Sequence, residues 1–172
     1  MRVRQASLED IDAVMAVVRR VVPLMRAEGN LQWDDTYPNA EVFARDVERA
    51  QLWVAEINSE TGGQIGGVAA ITTDQEPEYA RVGLDVTEPA IVTHRVAVDP
   101  EMRGKGIAAE LMLQAEEVAR SRGITVLRVD TNTHNQATQR LFPKLGYTLS
   151  GETELGFRPG LRFLCYEKRI SV

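Results

Sequence analysis

At 172 residues, 44% hydrophobic and 26% charged, the chain can bury one substantial core, which argues against a disordered or fibrous protein. Its net charge of −5 speaks against nucleic-acid binding, which needs a basic surface, and suits a cationic substrate. The single cysteine, Cys165, excludes an internal disulfide, and two distant histidines, His94 and His134, give no zinc-type ligand spacing, so no metal is expected.

Residues 2–5 read as a short strand without the apolar core of a signal peptide. No later run approaches the roughly 20 apolar residues that span a bilayer, so no membrane partner and a cytoplasmic setting are expected. Ser7 and Asp10 form a capping pattern ahead of a helix. Ile11, Val14, Met15, Val18 and Val22 then recur at helical spacing and give one buried stripe, with Pro23 as a weak point. Residues 24–38 have no period and hold Trp33, Asp34, Asp35 and Tyr37 close together. A second helix follows, with Val42, Phe43, Val47 and Ala50 expected inward. Residues 51–57 and 64–73 read as a hairpin around a turn at 58–63, and 74–89 is polar and irregular.

A β-branched strand covers 90–98, and a helix carrying Ala108, Leu111, Met112, Ala115 and Val118 ends near Gly123. Residues 124–130 form another strand. Asn135 caps a further helix that stops at Gly146, and two strands close the chain at 147–155 and 161–169. The order β-α-α-β-β-β-α-β-α-β-β, without linker or repeat, predicts a single α/β (α+β) domain over 1–172. In it about four helices flank a mixed central sheet. Cys165, in an apolar run, is expected to be a buried, inert thiol.

Between the 90–98 strand and its helix lies Arg95-Val96-Ala97-Val98-Asp99-Pro100-Glu101-Met102-Arg103-Gly104-Lys105-Gly106-Ile107-Ala108. A glycine loop feeding a helix start gathers free N–H groups at one point, where a phosphate or diphosphate is favoured. The loop is not a nucleotide P-loop, because Lys105 precedes Gly106 rather than Ser or Thr, and it lacks the spacing of a dinucleotide fingerprint.

This segment resembles the acetyl-coenzyme A loop of the GNAT superfamily of N-acetyltransferases. Arg103, Gly106 and Ala108 meet its pattern of Gln or Arg, two residues, Gly, one residue, Gly or Ala. A second block, from Asp130-Thr131-Asn132 to Leu141-Phe142-Pro143-Lys144-Leu145-Gly146-Tyr147, is similar to the later coenzyme-binding segment of the same superfamily. The resemblance implies the GNAT fold, acetyl-CoA as co-substrate and acetyl transfer by direct attack of a primary amine. The implied acceptor is a small molecule or amino-acid-like metabolite, and the C-terminal strands leave room for a homodimer.

It further implies that Val96, Ala97 and Val98 pair with the pantetheine arm. The amides of Arg103, Gly104, Lys105, Gly106, Ile107 and Ala108 would hold the diphosphate, Asn135 would bond the pantetheine, and Phe142 would lie beside the thioester. Lys144 either reaches an adenosine phosphate or is a solvated lysine. Phe142 replaces a tyrosine usual in the superfamily, which leaves Tyr147 or water to protonate the departing thiolate.

His94 is the first candidate base, on the coenzyme-pairing strand two residues before Val96 and therefore on the same face by simple alternation. Its place resembles a histidine of the arylalkylamine N-acetyltransferases. Glu78 and Asp130 are the next candidates. Trp33, Asp34, Asp35 and Tyr37 either hold a cationic amine or anchor a surface loop. Arg128 is expected to pair with Asp130 on one strand face. The alternative class is a coenzyme A-binding regulatory module, supported by Phe142.

Overall fold

The computed structural model describes residues 1–172, the side chain of Ser59 excepted. The observed order matches the expected one: β1 (Arg2–Gln5), α1 (Ile11–Ala27), α2 (Ala40–Glu48), β2 (Leu52–Ile57), β3 (Gln64–Thr72), β4 (Ile91–Val98), α3 (Ile107–Ser121), β5 (Val126–Asn132), α4 (Gln136–Lys144), β6 (Thr148–Glu154) and β7 (Arg162–Arg169). The sheet runs β1-β2-β3-β4-β5-β7-β6. The β4–β5 pair is parallel and the other pairs are antiparallel. Among the described residues no helix is long and apolar enough to cross a membrane.

Helix starts follow local chemistry. Asp10 accepts from the Ser7 amide at 2.8 Å, Asn39 accepts from Val42 at the head of α2, and Asn135 accepts from Thr138 at the head of α4. Ile11, Val14, Val18 and Val22 of the expected α1 stripe are buried, with Val17 beside them and Met15 only half-buried, and Pro23 lies within the helix, which continues to Ala27. Val14, Val17 and Val18 pack with Phe43 of α2 on Val54, Val68 and Ala70. On the opposite face α3 and α4 bury Leu111, Met112, Ala115 and Phe142. Each of these side chains larger than alanine contributes about 1.5–3 kcal/mol relative to exposure. Ala50 departs from expectation. It lies beyond the end of α2, exposed and with φ +55°, because the helix stops at Glu48.

The β3–β4 register carries the main surprise. Ala70 opposes His94 and Val68 opposes Ala97, so Arg95 and Val96 together face one residue, Ala69. This is a bulge, with Arg95 in a left-handed backbone conformation at φ +53°. That conformation costs a non-glycine residue about 1–2 kcal/mol. It is offset by a two-point ion pair from Arg95 Nε and Nη2 to Asp46 of α2, at 2.8 and 2.7 Å. The extra residue shifts the alternation. His94 falls on the α1–α2 face with Ala97, whereas Val96 packs on the α3–α4 side. The expectation that His94 and Val96 share a face is therefore corrected. Past the bulge β4 diverges from β5, since their pairing ends at Thr93 and Val129.

Arg128 does not pair with Asp130. Glu167, its direct neighbour across β5 and β7, accepts from its Nε at 3.0 Å, and the Gln75 side chain and the Asp85 carbonyl both accept from Nη1. A cross-strand partner at the same register is nearer than a residue two places along. These bonds tie segment 74–90 to the sheet. Arg128 is 1% exposed. Arg128→Ala should cost about 1–3 kcal/mol, because it strips the Gln75 side chain and the Asp85 carbonyl of their donor, while Glu167 keeps Arg169 at 3.2 Å. Urea unfolding should show a lower midpoint at an unchanged slope.

Candidate active site

The divergence of β4 and β5 opens a cleft of about 950 Å³. One wall is the β5-facing edge of β4 past Thr93, which has no ladder partner. Val96, Ala97 and Val98 line it there. The opposite wall is the end of β5 and the inner side of α4.

At one end sits the glycine loop. Asp99, fully buried, accepts from the Glu101 amide at 3.0 Å and from Arg20 at 2.5 Å, and so pins the turn that precedes the loop. Gly104 and Gly106 have φ of +81° and +76°, and a Cβ at either would meet nothing within 4 Å. The loop is thus open toward the cleft. Gly106 precedes α3 without any side-chain cap, so the first amides of the helix have no acceptor inside it. Gly67 explains how α3 comes so close to the sheet, since a Cβ there would lie 2.5 Å from Ile107. Arg103, Gly104, Gly106, Ile107 and Ala108 line the cleft, while Lys105 is exposed outside it. This uncapped, glycine-bearing helix start fits a diphosphate.

Along the α4 wall, Asn135 accepts from Thr138 through its oxygen, which leaves its amide nitrogen free among the described residues. Phe142 is 2% exposed and packs edgewise on Tyr166 with centroids 5.4 Å apart. Both line the cleft. Two alternatives left open by the sequence are narrowed here. Tyr147 lies outside the cleft wall, its hydroxyl buried without a partner, and burial pushes it well above the ordinary tyrosine range. It is in no position to protonate a leaving thiolate. Lys144 is exposed on the far side of α4 and takes no part in the wall.

At the other end, three titratable groups converge. His94 Nε2 lies 2.9 Å from the Asp74 carbonyl, which only accepts, so Nε2 carries the proton and Nδ1 keeps its lone pair. Burial lowers the His94 pKa below its ordinary 6.5, with the Asp74 carbonyl pulling the other way. Asp130 accepts from the Tyr79 hydroxyl at 2.5 Å, and burial pushes its carboxyl up to about 6 against that bond. Glu76, which the sequence reading missed, lines the cleft, and burial raises its carboxyl as well. Glu78 is the reverse case. Its carboxylate accepts from the Gly156 amide at 2.9 Å, away from the cleft, because the short turn at Pro77–Val82 rotates it outward.

Tyr79→Phe removes the donor that favours ionised Asp130. Its carboxyl should then titrate at higher pH than in the parent, as carbon-detected NMR of Asp130 would show.

The α1–α2 connection closes this end. Trp33 and Tyr37 line the cleft, but Asp34 is engaged with the Thr36 and Tyr37 amides at 2.8 and 3.0 Å, and Asp35 is exposed outside. The aspartates therefore anchor the loop, while the aromatic rings form cleft wall. His134, unassigned from the sequence, packs its ring against Gly29, where a Cβ would lie 3.2 Å away, and bridges the two sides. Cys165 is buried, its thiol pushed up to about 12 by burial and by the nearby Asp130 and Glu76 carboxylates.

A model of the acetyltransferase (GNAT) family matches residues 19–147. The chain is 22% identical to the uncharacterized N-acetyltransferase YesJ of Bacillus subtilis, over 96% of this chain and 88% of that protein. A GNAT-family acetyltransferase of Streptococcus agalactiae superposes with a TM-score of 0.81 at 25% identity, covering 99% of this chain and 96% of that one. Another of similar fold, yncA of Salmonella typhimurium, was solved with acetyl-CoA; it has a TM-score of 0.72 at 20% identity and covers 100% and 95% of the two chains. The family match runs from the middle of α1 through the glycine loop and α4 to Tyr147, and the chain belongs to the GNAT family of acetyltransferases, with acetyl-CoA as its co-substrate.

Proposed function

We propose that this acetyltransferase acetylates the primary amine of a small molecule by direct attack. The observation that carries the reading is the continuity of one cleft. It joins an uncapped helix start, an unpaired strand edge and three titratable groups at the far end. Acetyl-CoA supplies an acyl carbon already activated as a thioester. The amides of Gly104 through Ala108 hold the diphosphate, the 96–98 edge of β4 pairs with the pantetheine arm as an added strand would, and the Asn135 amide nitrogen donates to it. Phe142 packs beside the thioester.

An ammonium has no lone pair, so the acceptor must first lose a proton. Glu76 and Asp130 draw it in, and His94 Nδ1 takes the proton, with the neighbouring Glu76 carboxylate stabilising the imidazolium. A backbone N–H of residues 96–98 donates to the oxygen on which negative charge develops. With no tyrosine at position 142, water relays the second amine proton, shed as the tetrahedral adduct collapses to the amide, to the departing thiolate, whose ordinary pKa of about 8.5 makes it a tolerable leaving group near neutrality.

Relatives support a small acceptor. The chain is 25% identical, over 87% of its length and 81% of theirs, to an L-methionine sulfoximine/L-methionine sulfone acetyltransferase of Pseudomonas aeruginosa. The test is a panel of amines and peptides with detection of released coenzyme A thiol. Release that depends on a small primary amine is expected. Tight acetyl-CoA binding with no release for any acceptor would replace this reading with the regulatory module.

A further inference from the structure

The charges around the acceptor end are unbalanced. Among the described residues three cationic side chains besides the histidines line the cleft, namely Arg95, Arg103 and Arg140. Arg103 belongs to the glycine loop and Arg140 to α4, the coenzyme walls. Arg95 is the one at the acceptor end, and it is held in a two-point ion pair. Two of its nitrogens bind Asp46 at 2.7 and 2.8 Å, and the third reaches the Tyr37 hydroxyl at 3.5 Å. Asp46 is 4% exposed and gives Arg95 up only at the cost of its own buried charge.

Arg158 lies outside the cleft lining, and its Nη2 is buried without a hydrogen-bond partner. The side chain donates to the Gln32 carbonyl at 2.6 Å, faces Asp34 at 3.6 Å and lies 5.4 Å from the centre of the Tyr37 ring. Besides the two histidines, the charged groups left to meet a ligand at this end are the carboxylates of Glu76 and Asp130, with Glu28 at the mouth, beside the rings of Trp33, Tyr37 and Phe157.

We infer that the acceptor is an amine without an α-carboxylate, carrying an apolar or aromatic body; this rests on the transferase reading above and narrows it. Its ammonium meets Glu76 and Asp130, and its body meets the three rings, where a cation beside an aromatic face gains further attraction. The α-carboxylate of an amino acid would instead sit among like charges, with no unpaired arginine or lysine lining this end to receive it. Specificity here comes from that repulsion as much as from attraction.

The test uses matched pairs that differ only in the carboxylate: tryptamine against L-tryptophan, tyramine against L-tyrosine, and 3-(methylsulfonyl)propylamine against L-methionine sulfone. Coenzyme A release gives kcat/KM for each. The carboxylate-free member should be favoured by about a hundredfold or more, as expected for an unfavourable juxtaposition of like charges. Asp46→Asn should free Arg95 and move the ratio back toward the amino acid by about tenfold or more. Equal or better turnover of the amino acids by the parent enzyme overturns the inference while leaving amine acetylation standing. Acetyl-CoA binding without turnover of any pair overturns both. Because the parent comparison needs no variant, instability of Asp46→Asn would not shield the inference.

Discussion

Replacing Gly106 by Asp should raise the Kd for acetyl-CoA by about a hundredfold or more without unfolding the protein. Gly106 holds φ +76° at the head of α3, a conformation that Asp tolerates better than most residues with a side chain. Its new Cβ meets nothing within 4 Å, so no neighbour must move. Backbone strain of about 1 kcal/mol would lower Tm by roughly 2–4 °C in a domain of this size. The carboxylate, however, occupies the mouth of the amide cradle. It can cap the α3 amides itself, and it repels the diphosphate. Gly106→Asn separates the two effects, because it caps without the charge and should weaken binding less. Titration calorimetry at two salt concentrations reads both variants, with the Asp penalty shrinking at high salt. An unchanged Kd in Gly106→Asp would remove the loop from coenzyme binding.

The second large effect belongs to His94. His94→Ala should lower kcat/KM for the amine by about 10²–10³-fold and leave the Kd for acetyl-CoA unchanged, in line with the loss of a general base. The pH profile carries the same information. A base works unprotonated, so activity is full above its pKa and lost as pH falls through it. Burial holds His94 below its usual 6.5, and the Asp130 carboxyl is pushed up to about 6, so the acid limb of the parent should lie below pH 6.5. In His94→Ala the surviving activity should keep only the limb of the carboxylates. If His94→Ala proves neutral at every pH while Glu76→Gln abolishes turnover, the proton goes to Glu76 instead.

Much of this molecule is readable from its residues because periodicity and capping are local. The α1 stripe at 11, 14, 18 and 22, the Asn135 cap and the left-handed glycines of the loop each declare themselves within a few positions. What stays hidden depends on partners far along the chain. The bulge at Arg95 is stabilised by Asp46, 49 residues away, and nothing in the run of β-branched residues announces it, yet it decides which face His94 occupies. Glu76 and Glu78 are indistinguishable in an unpatterned loop. Only the tight turn after Glu76, and the Gly156 amide that captures Glu78, sort one into the cleft and the other out. Arg128 follows the same logic, since its register partner Glu167 on β7 outcompetes the nearby Asp130. Tyr147 looked available as an acid because it closes a motif, but burial beneath Lys168 and behind Phe142 removes it from the cleft.

The central claim is that main-chain donors at the start of α3 and along the open edge of β4 receive acetyl-CoA. Amide hydrogen exchange with and without saturating acetyl-CoA measures those donors directly. Slowing concentrated at residues 94–98 and 104–109, with the β1–β2 end of the sheet unchanged, is the predicted result. Saturable binding that leaves both segments exchanging at their free rates would contradict the account.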